Sequence, residues 1–96
     1  MNAKDLLLLK RDEILRLAGE HGASNVRVFG SVARGDNDDQ SDIDLLVAFE
    51  PTRSLFDHAA LWLALQGLLQ RDVDVVSDRG IKPRIRDRVL REAIPL

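Results

Sequence analysis

The chain has 96 residues, of which 45% are hydrophobic and 31% are charged, and its formal net charge is -2. A chain of this length and composition can form one globular core, so we expect a single domain over residues 1–96 and not a disordered segment. The small net charge argues against a general nucleic-acid binder. Because the chain has no cysteine, disulfides, thiolate zinc sites and cysteine nucleophiles are excluded.

The N-terminal segment does not have the pattern of an exported or membrane-inserted protein. Its apolar run from Leu6 to Leu9 is far too short to span a membrane. Charged residues flank this run on both sides, and no small-residue cleavage site follows it. We therefore expect a cytoplasmic protein that contacts no membrane and makes no direct contact with nucleic acid.

The first part of the chain predicts a helix, a strand and a short second helix. The first helix is expected from residue 5 to about 21, before Gly22, because one face repeats at helical spacing. The residues of that face are Leu7, Ile14, Leu17, Ala18 and His21. The alternating, β-branched segment Asn25–Phe29 predicts a short strand. Residues 31–34 are expected to form a short helix, and residues 35–40 a polar loop.

The second part of the chain predicts a central strand, a long helix, a short strand and a last helix. The continuous apolar run Ile43–Phe49 is typical of a strand covered on both faces. Ser54 suits the N-cap of a helix over residues 55–69, Val73–Val76 predicts a strand, and Pro83 suits the first turn of the last helix. The expected buried stripe of that helix is Ile85, Val89, Leu90 and Ala93. This order indicates an α/β (α+β) fold with a small mixed β-sheet of about three strands flanked by helices.

Two aspartates at the start of the central strand are the first candidates for chemistry. Asp42 and Asp44 are two residues apart, so they point to the same face at about 6–7 Å from each other. Like charges on a mostly buried strand are unfavourable unless a cation neutralises them, and Mg²⁺ binds carboxylates of this kind. Of Asp72 and Asp74 on the next strand, Asp74 is the better third ligand because valines flank it. Three carboxylates could hold two metal ions for in-line phosphoryl or nucleotidyl displacement.

A structural explanation of the aspartates remains open, in which Asp42 caps a turn and Asp44 is solvated at a strand end. Gly30 and Ser31 have similar alternatives. They could form a plain β-turn, or Gly30 could allow close approach to a ligand while Ser31 and nearby amides bind phosphate. The spacing from Gly30 to Gly35 is that of a P-loop, but the residue after Gly35 is an aspartate where a P-loop has lysine.

The helix over residues 55–69 is apolar on more than one face. Phe56 and Leu63 do not share the stripe of Leu61 and Leu69, so one side of this helix could contact another chain. The alternative is a central helix between the sheet and the first helix. Trp62 is most simply a core residue.

The segment "GSVARGDNDDQSDIDLLV" resembles the signature of the minimal nucleotidyltransferases (MNT proteins) of the DNA polymerase β-like superfamily. The segment "VDVVS" and the C-terminal "IKPRIRDRVLREAIPL" are also similar to that family, so the resemblance covers nearly the whole chain. It implies the polymerase β-like nucleotidyltransferase core.

The same resemblance implies a role for six residues. Gly30 and Ser31 match the glycine and serine that bind nucleotide phosphates, and Asp42 and Asp44 match the paired metal ligands. Asp74 matches the third carboxylate, which helps to activate the attacking hydroxyl. Arg34 belongs to the motif and is assigned to nucleotide binding, with a surface arginine as the equal alternative.

The resemblance further implies an enzyme with two Mg²⁺ ions that transfers AMP from ATP to a hydroxyl, expected to be a tyrosine, of a HEPN-domain toxin. The chain would then be the antitoxin in a hetero-oligomeric complex with that toxin. Two alternatives stay open: an antitoxin that neutralises its partner by binding alone, and an enzyme that adenylylates a small molecule or an RNA end.

Overall fold

The computed structural model describes residues 1–36 and 42–96. Its helices are α1 (Ala3–Leu9), α2 (Arg11–Glu20), α3 (Gly30–Arg34), α4 (Leu55–Leu69) and α5 (Pro83–Glu92), with a 3-10 turn at Asp78–Gly80. Its strands are β1 (Ala23–Phe29), β2 (Ile43–Phe49), β3 (Val73–Ser77) and β4 (Ile94–Pro95). The expected fold class is confirmed. Of the polar loop expected over residues 35–40, residues 37–40 lie outside the described ranges.

The strands form one mixed sheet in the order β3-β2-β1-β4. β2 pairs antiparallel with β1 and parallel with β3, and β4 pairs antiparallel with β1. Ile43, Leu45, Leu46 and Val47 of β2 are all 0% exposed. The prediction of a central strand covered on both faces is therefore confirmed, and its continuous apolar sequence has a direct physical cause.

The two faces of the sheet are covered unequally. One face packs against helices in a large core that includes Ile14 of α2 and Leu61 and Leu65 of α4. The other face packs against α5 in a smaller core built on Leu46 and Val89. Side chains two apart on a strand share a face, so the two aspartates that lie two residues before Leu46 and Val76 extend this second face beyond that small core.

Helix α4 begins at a complete capping box. The Ser54 hydroxyl accepts a hydrogen bond from the Phe56 N–H at 3.2 Å, and the Asp57 carboxylate accepts one from the Ser54 N–H at 2.9 Å. The prediction of Ser54 as N-cap is thus confirmed, and the cap satisfies amide groups that the helix itself leaves unpaired. Within the described ranges, no helix is long and apolar enough to cross a membrane.

One row of α4 side chains covers the outer edge of β3, which is the last strand on its side of the sheet. The Trp62 indole N–H donates to the Val73 carbonyl at 2.6 Å, and His58 Nε2 lies 2.6 Å from the Val75 carbonyl oxygen. The Val73 N–H donates to Gln66 Oε1 at 3.4 Å. These α4 residues are four apart along the helix, so they lie in one row, and they satisfy edge groups that would otherwise invite strand pairing.

Three expectations about elements were wrong in detail. The first helix is two helices, because the backbone departs from helical geometry at Lys10, which ends α1 and precedes α2. Neither glycine nor proline marks this break, and hydrogen bonds continue on both sides of it, from Lys10 N–H to Leu6 and from Ile14 N–H to Lys10. A fourth strand, β4, follows α5. Its two residues, one of them a proline, are too few to give a strand pattern in the sequence, and they fit only an edge position. Leu90, expected in the buried stripe of α5, is 38% exposed.

Candidate active site

Strand pairing brings the predicted carboxylates together at the end of the sheet where β2 and β3 begin. Asp44 and Asp74 are direct partners in the parallel register of β2 and β3, and neighbouring strands lie about 4.7–4.9 Å apart. Asp42 is exposed and comes two residues before Asp44, immediately outside the strand. The structure therefore places Asp74 directly beside the first pair, as the sequence pattern predicts.

The negative charges of Asp74 and Asp42 act on the carboxyl group of Asp44. Its pKa is raised from 3.8 to about 6, first by partial burial and then by the negative charges of Asp74 and Asp42, while Arg34 acts in the opposite direction. Negative charge gathered at this position favours a ligand that carries positive charge.

Gly30 lies against the carboxylate of Asp44. Its φ is +72°, in the left-handed region that glycine adopts without a steric penalty. A Cβ atom built on Gly30 would overlap Asp44 Oδ2, and Phe29 immediately before it pairs with Asp44 across the β1–β2 ladder. The sequence predicts that this glycine permits a close approach. The structure shows that the approaching group is a carboxylate of the same chain.

Ser31 and Arg34 lie on the short helix α3 that begins at Gly30. Ser31 is half-buried and follows Gly30 directly, so its backbone is next to the position where Asp44 meets α3. Arg34 is exposed and contacts Asp36 at 3.1 Å and Glu92 of α5 at 3.2 Å. Solvent-exposed ion pairs are weak, so Arg34 can exchange its exposed partner Asp36 for another anion.

The carboxylates fit a divalent cation by their chemistry. In the ranges 1–36 and 42–96, no three His, Cys, Asp or Glu side chains converge closely enough to hold an ion as they stand. Carboxylate oxygens are nevertheless the ligands that Mg²⁺ prefers, often two of them with waters and phosphate oxygens in the remaining positions. Burial and then the charges of Asp74 and Asp42 raise the pKa of Asp44, and such a cation would offset the repulsion between these charges.

Asp74 also lines two grooves that sequence reasoning missed. One runs between β3 and the start of α5. The other lies along α4 and includes Leu55, His58 and Trp62. Trp62, expected in the core, is 40% exposed there. The four-residue spacing of its row on α4 could have indicated a contact with β3, but the facing strand edge is visible only in the fold.

Carboxylates paired across parallel strands, beside a glycine-serine turn into a helix, have the chemistry that enzymes of phosphoryl and nucleotidyl transfer require. The model of the polymerase beta nucleotidyltransferase domain matches residues 12–96, so the chain belongs to the polymerase β nucleotidyltransferase family. The protein is therefore a nucleotidyltransferase, and the resemblance read from the glycine-serine and aspartate motif is confirmed.

Solved structures and relatives give the same family at several levels of similarity. A solved structure described as a candidate minimal nucleotidyltransferase is 58% identical, with a TM-score of 0.88, over 100% of this chain and 97% of its own. The protein adenylyltransferase MntA of Thermococcus cleftensis is 40% identical over 73 residues, which are 76% of this chain and 74% of the relative. A solved mutant of an MntA toxin–antitoxin pair is 25% identical with a TM-score of 0.74, over 90% of this chain and 70% of its own.

Proposed function

We propose that this nucleotidyltransferase is a Mg²⁺-dependent protein adenylyltransferase that transfers AMP from ATP to a hydroxyl of a partner protein. The observation that carries the proposal is the register pairing of Asp44 with Asp74, with Asp42 adjacent and Gly30 packed against Asp44. The relative from Thermococcus cleftensis, named a protein adenylyltransferase, supports the protein acceptor.

In this proposal Asp42, Asp44 and Asp74 would hold two Mg²⁺ ions, which would supply charge neutralisation for the phosphates. Ser31 and the backbone at Gly30 orient the β- and γ-phosphates, and Arg34 leaves its surface partners to contact a phosphate.

The transfer itself needs one proton acceptor and one leaving group. Asp74 accepts the proton of the acceptor hydroxyl at a carboxylate oxygen, which suits its exposed position at the end of both grooves. The hydroxyl oxygen forms a bond to the α-phosphorus, and the bond from that phosphorus to the bridging oxygen breaks. Pyrophosphate leaves with the electron pair.

The acceptor is proposed to be a tyrosine of a HEPN-domain toxin, held in a hetero-oligomeric complex in the cytoplasm. On α4, Leu55 is 84% exposed, Phe56 is 87% exposed and Leu63 is 60% exposed. Exposed apolar side chains grouped on one helix mark an interaction surface. The similarity to an MntA toxin–antitoxin pair supports a toxin as the partner, and the chain would then act as its antitoxin.

The same exposed α4 residues favour a second candidate function, neutralisation of the toxin by contact alone. The substitution Asp44→Asn separates the two. It removes one negative charge from the site and leaves the outer surface of α4 unchanged.

The test incubates the protein with Mg²⁺, ATP and the product of the neighbouring gene, and measures the intact mass of both proteins. We expect the partner to gain one or more AMP groups, and the rate to fall by about 10²-fold or more with Asp44→Asn. If a complex forms and no nucleotide is transferred with any triphosphate, adenylyl transfer is wrong and binding alone is the function.

A further inference from the structure

A cavity of about 280 Å³ lies at the end of the sheet opposite to the carboxylates. Phe49 and Ser77, the last residues of β2 and β3, are on its lining together with Leu55 at the start of α4. A strand rises about 3.3 Å per residue, so Ser77 lies about 10 Å along β3 from Asp74. The cavity is therefore separate from the carboxylate site, and the chemistry proposed above does not use it.

Among the residues that the structure describes, two arginines, Arg53 and Arg79, and a single carboxylate, Glu50, line this cavity. Glu50 contacts Arg53 at 3.1 Å, and Asp57 contacts the same guanidinium at 3.3 Å. These two carboxylates offset the charge of Arg53 and hold its side chain in place. The guanidinium of Arg79 is the cationic group that remains for a ligand.

Arg79 is exposed and belongs to the 3-10 turn that follows β3. Its backbone N–H donates to the Ser77 hydroxyl at 3.4 Å, which helps to fix the turn. The carboxylate next to it in sequence, Asp78, pairs instead with Arg27 at 3.5 Å. Within the described part of the chain, the Arg79 side chain makes no salt bridge and donates no hydrogen bond, so its charge is free to bind an anion.

The cavity is joined to the groove along α4 that leads to Asp74. Leu55 and His58 line both of them, and Leu55 and Phe56 are 84% and 87% exposed. From residue 59 to residue 70, the sequence of α4 and its C-cap contains no charged side chain. A partner that lies along this helix therefore gains apolar burial from α4, and it can gain an ionic contact at Arg79.

We propose, as a deepening of the proposed function on which it rests, that this cavity binds an acidic side chain of the acceptor protein. A guanidinium can pair with the carboxylate of an aspartate or glutamate by two hydrogen bonds, and Phe49 and Leu55 offer apolar surface to its methylene groups. The carboxylate would lie about 10 Å from the acceptor hydroxyl at Asp74, which is about three residues of extended chain. The acceptor is thus recognised at two points, its hydroxyl and an acidic residue near it.

The surroundings of the cavity favour a protein over a nucleic acid as the occupant. Binding of RNA relies on several cations spaced along the phosphate backbone, whereas the surface that continues from this cavity is the exposed apolar side of α4. An acidic side chain with apolar neighbours matches both parts of that surface.

Binding and transfer, measured with the full chain and the product of the neighbouring gene, test this inference. Isothermal titration calorimetry without ATP gives the affinity for that partner, and intact mass gives the rate of AMP transfer. Arg79→Glu should weaken partner binding by about tenfold or more, because it places a like charge against the partner's carboxylate. In transfer, KM for the partner should rise by a similar factor and kcat should stay within about twofold, since the cavity is remote from the bonds that change.

Arg88→Glu is the matched control. It makes the same change in net charge at an exposed residue of α5 that is not on the lining of the cavity, and it should bind and transfer like the wild type. A lysine in place of one acidic residue of the partner should restore binding to Arg79→Glu. Thermal melting checks that each variant is folded, and Arg79→Ala, which adds no charge, replaces Arg79→Glu if that variant unfolds.

Equal partner affinities of Arg79→Glu and Arg88→Glu would refute the cavity and leave the proposed transfer standing. A loss of affinity at Arg79→Glu alone, without any AMP transfer by the wild type, would support the cavity and refute the transfer. If Arg79→Glu instead loses affinity for a fluorescent single-stranded RNA and keeps its affinity for the partner, the occupant is RNA and this inference is wrong. If the wild type does not bind the partner, both proposals are wrong.

Discussion

The face of the sheet under α2 and α4 buries Ile43, Leu45 and Val47 completely, whereas the face under α5 buries Leu46 and then continues into Asp44, half-buried, and Asp74, exposed. The same two strands thus serve a core on one side and a charged site on the other. The first face supplies apolar burial. The second face carries carboxylates that repel one another. The fold tolerates this repulsion only because the rest of the structure is stable enough to hold these side chains in place.

The largest effect expected from this comparison is the loss of a buried side chain on the covered face. Leu65 is 1% exposed, while Leu63, two residues away on the same helix, is 60% exposed. Leu65→Ala should lower the free energy of unfolding by about 3 kcal/mol because it leaves a cavity, and Leu63→Ala should change it by less than about 0.5 kcal/mol. Urea denaturation measures both values, and similar losses would contradict the assignment of the α4 faces.

On the open face, Gly30→Ala tests the contact with Asp44. Gly30 and Gly35 both have positive φ values, +72° and +79°, but a Cβ atom overlaps the Asp44 carboxylate only at Gly30 and meets nothing within 4 Å at Gly35. Both alanine variants should therefore show the left-handed strain of about 1–2 kcal/mol, and Gly30→Ala should lose about 1 kcal/mol more.

The comparison of Gly30→Ala with Gly35→Ala separates backbone strain from the overlap. In an Asp44→Ala background the extra loss at Gly30 should disappear, because the overlapping carboxylate is gone. Persistence of the full difference in that background would show that Asp44 is not the group that requires glycine.

The raised pKa of Asp44 predicts a stability that falls with pH in the metal-free protein. Its folded pKa of about 6 lies above the ordinary value of 3.8, so the folded state binds the proton more tightly between these values. This contribution is fully present below about pH 4 and is lost as the pH rises through about 6. Since Asp44 is partly exposed, the effect is on the order of 1 kcal/mol.

Thermal melting in EDTA from pH 4 to 8 measures this effect as the difference between the wild type and Asp44→Asn, which does not titrate at that position. The variant should be relatively more stable at pH 7, and added Mg²⁺ should raise the melting temperature of the wild type more than that of the variant. Parallel curves for the two proteins at all pH values would contradict the electrostatic interaction.

An effect of similar size is expected at the edge of β3. Trp62→Phe removes the N–H that donates to the Val73 carbonyl at 2.6 Å and keeps an aromatic ring in place. The free energy of unfolding should fall by about 1 kcal/mol, the usual value of one such hydrogen bond. Chemical denaturation measures the change, and a stability equal to that of the wild type would show that water replaces the indole at this edge.

Local pattern was sufficient for most elements, because their causes are local. Ser54 caps α4 through residues two and three positions away, and the bounds expected for that helix, residues 55–69, agree with Leu55–Leu69. The run Ile43–Phe49 was likewise expected with its observed bounds. The break at Lys10 and the strand Ile94–Pro95 were not predicted, since the first lacks a breaking residue and the second depends on pairing with Arg27 and Val28.

For the site, the sequence by itself determined which residue types are present and that Asp42 and Asp44 lie at the start of the central strand, because the apolar run that follows them predicts that strand. Only the tertiary structure decided that Asp74 is the register partner of Asp44, that Gly30 is packed against that carboxylate, and that Lys82 stands at a groove opening onto Asp74. Each of these facts joins segments distant along the chain. Their relative positions are set by strand register and by packing in the two cores, and spacing along the sequence carries no information about either.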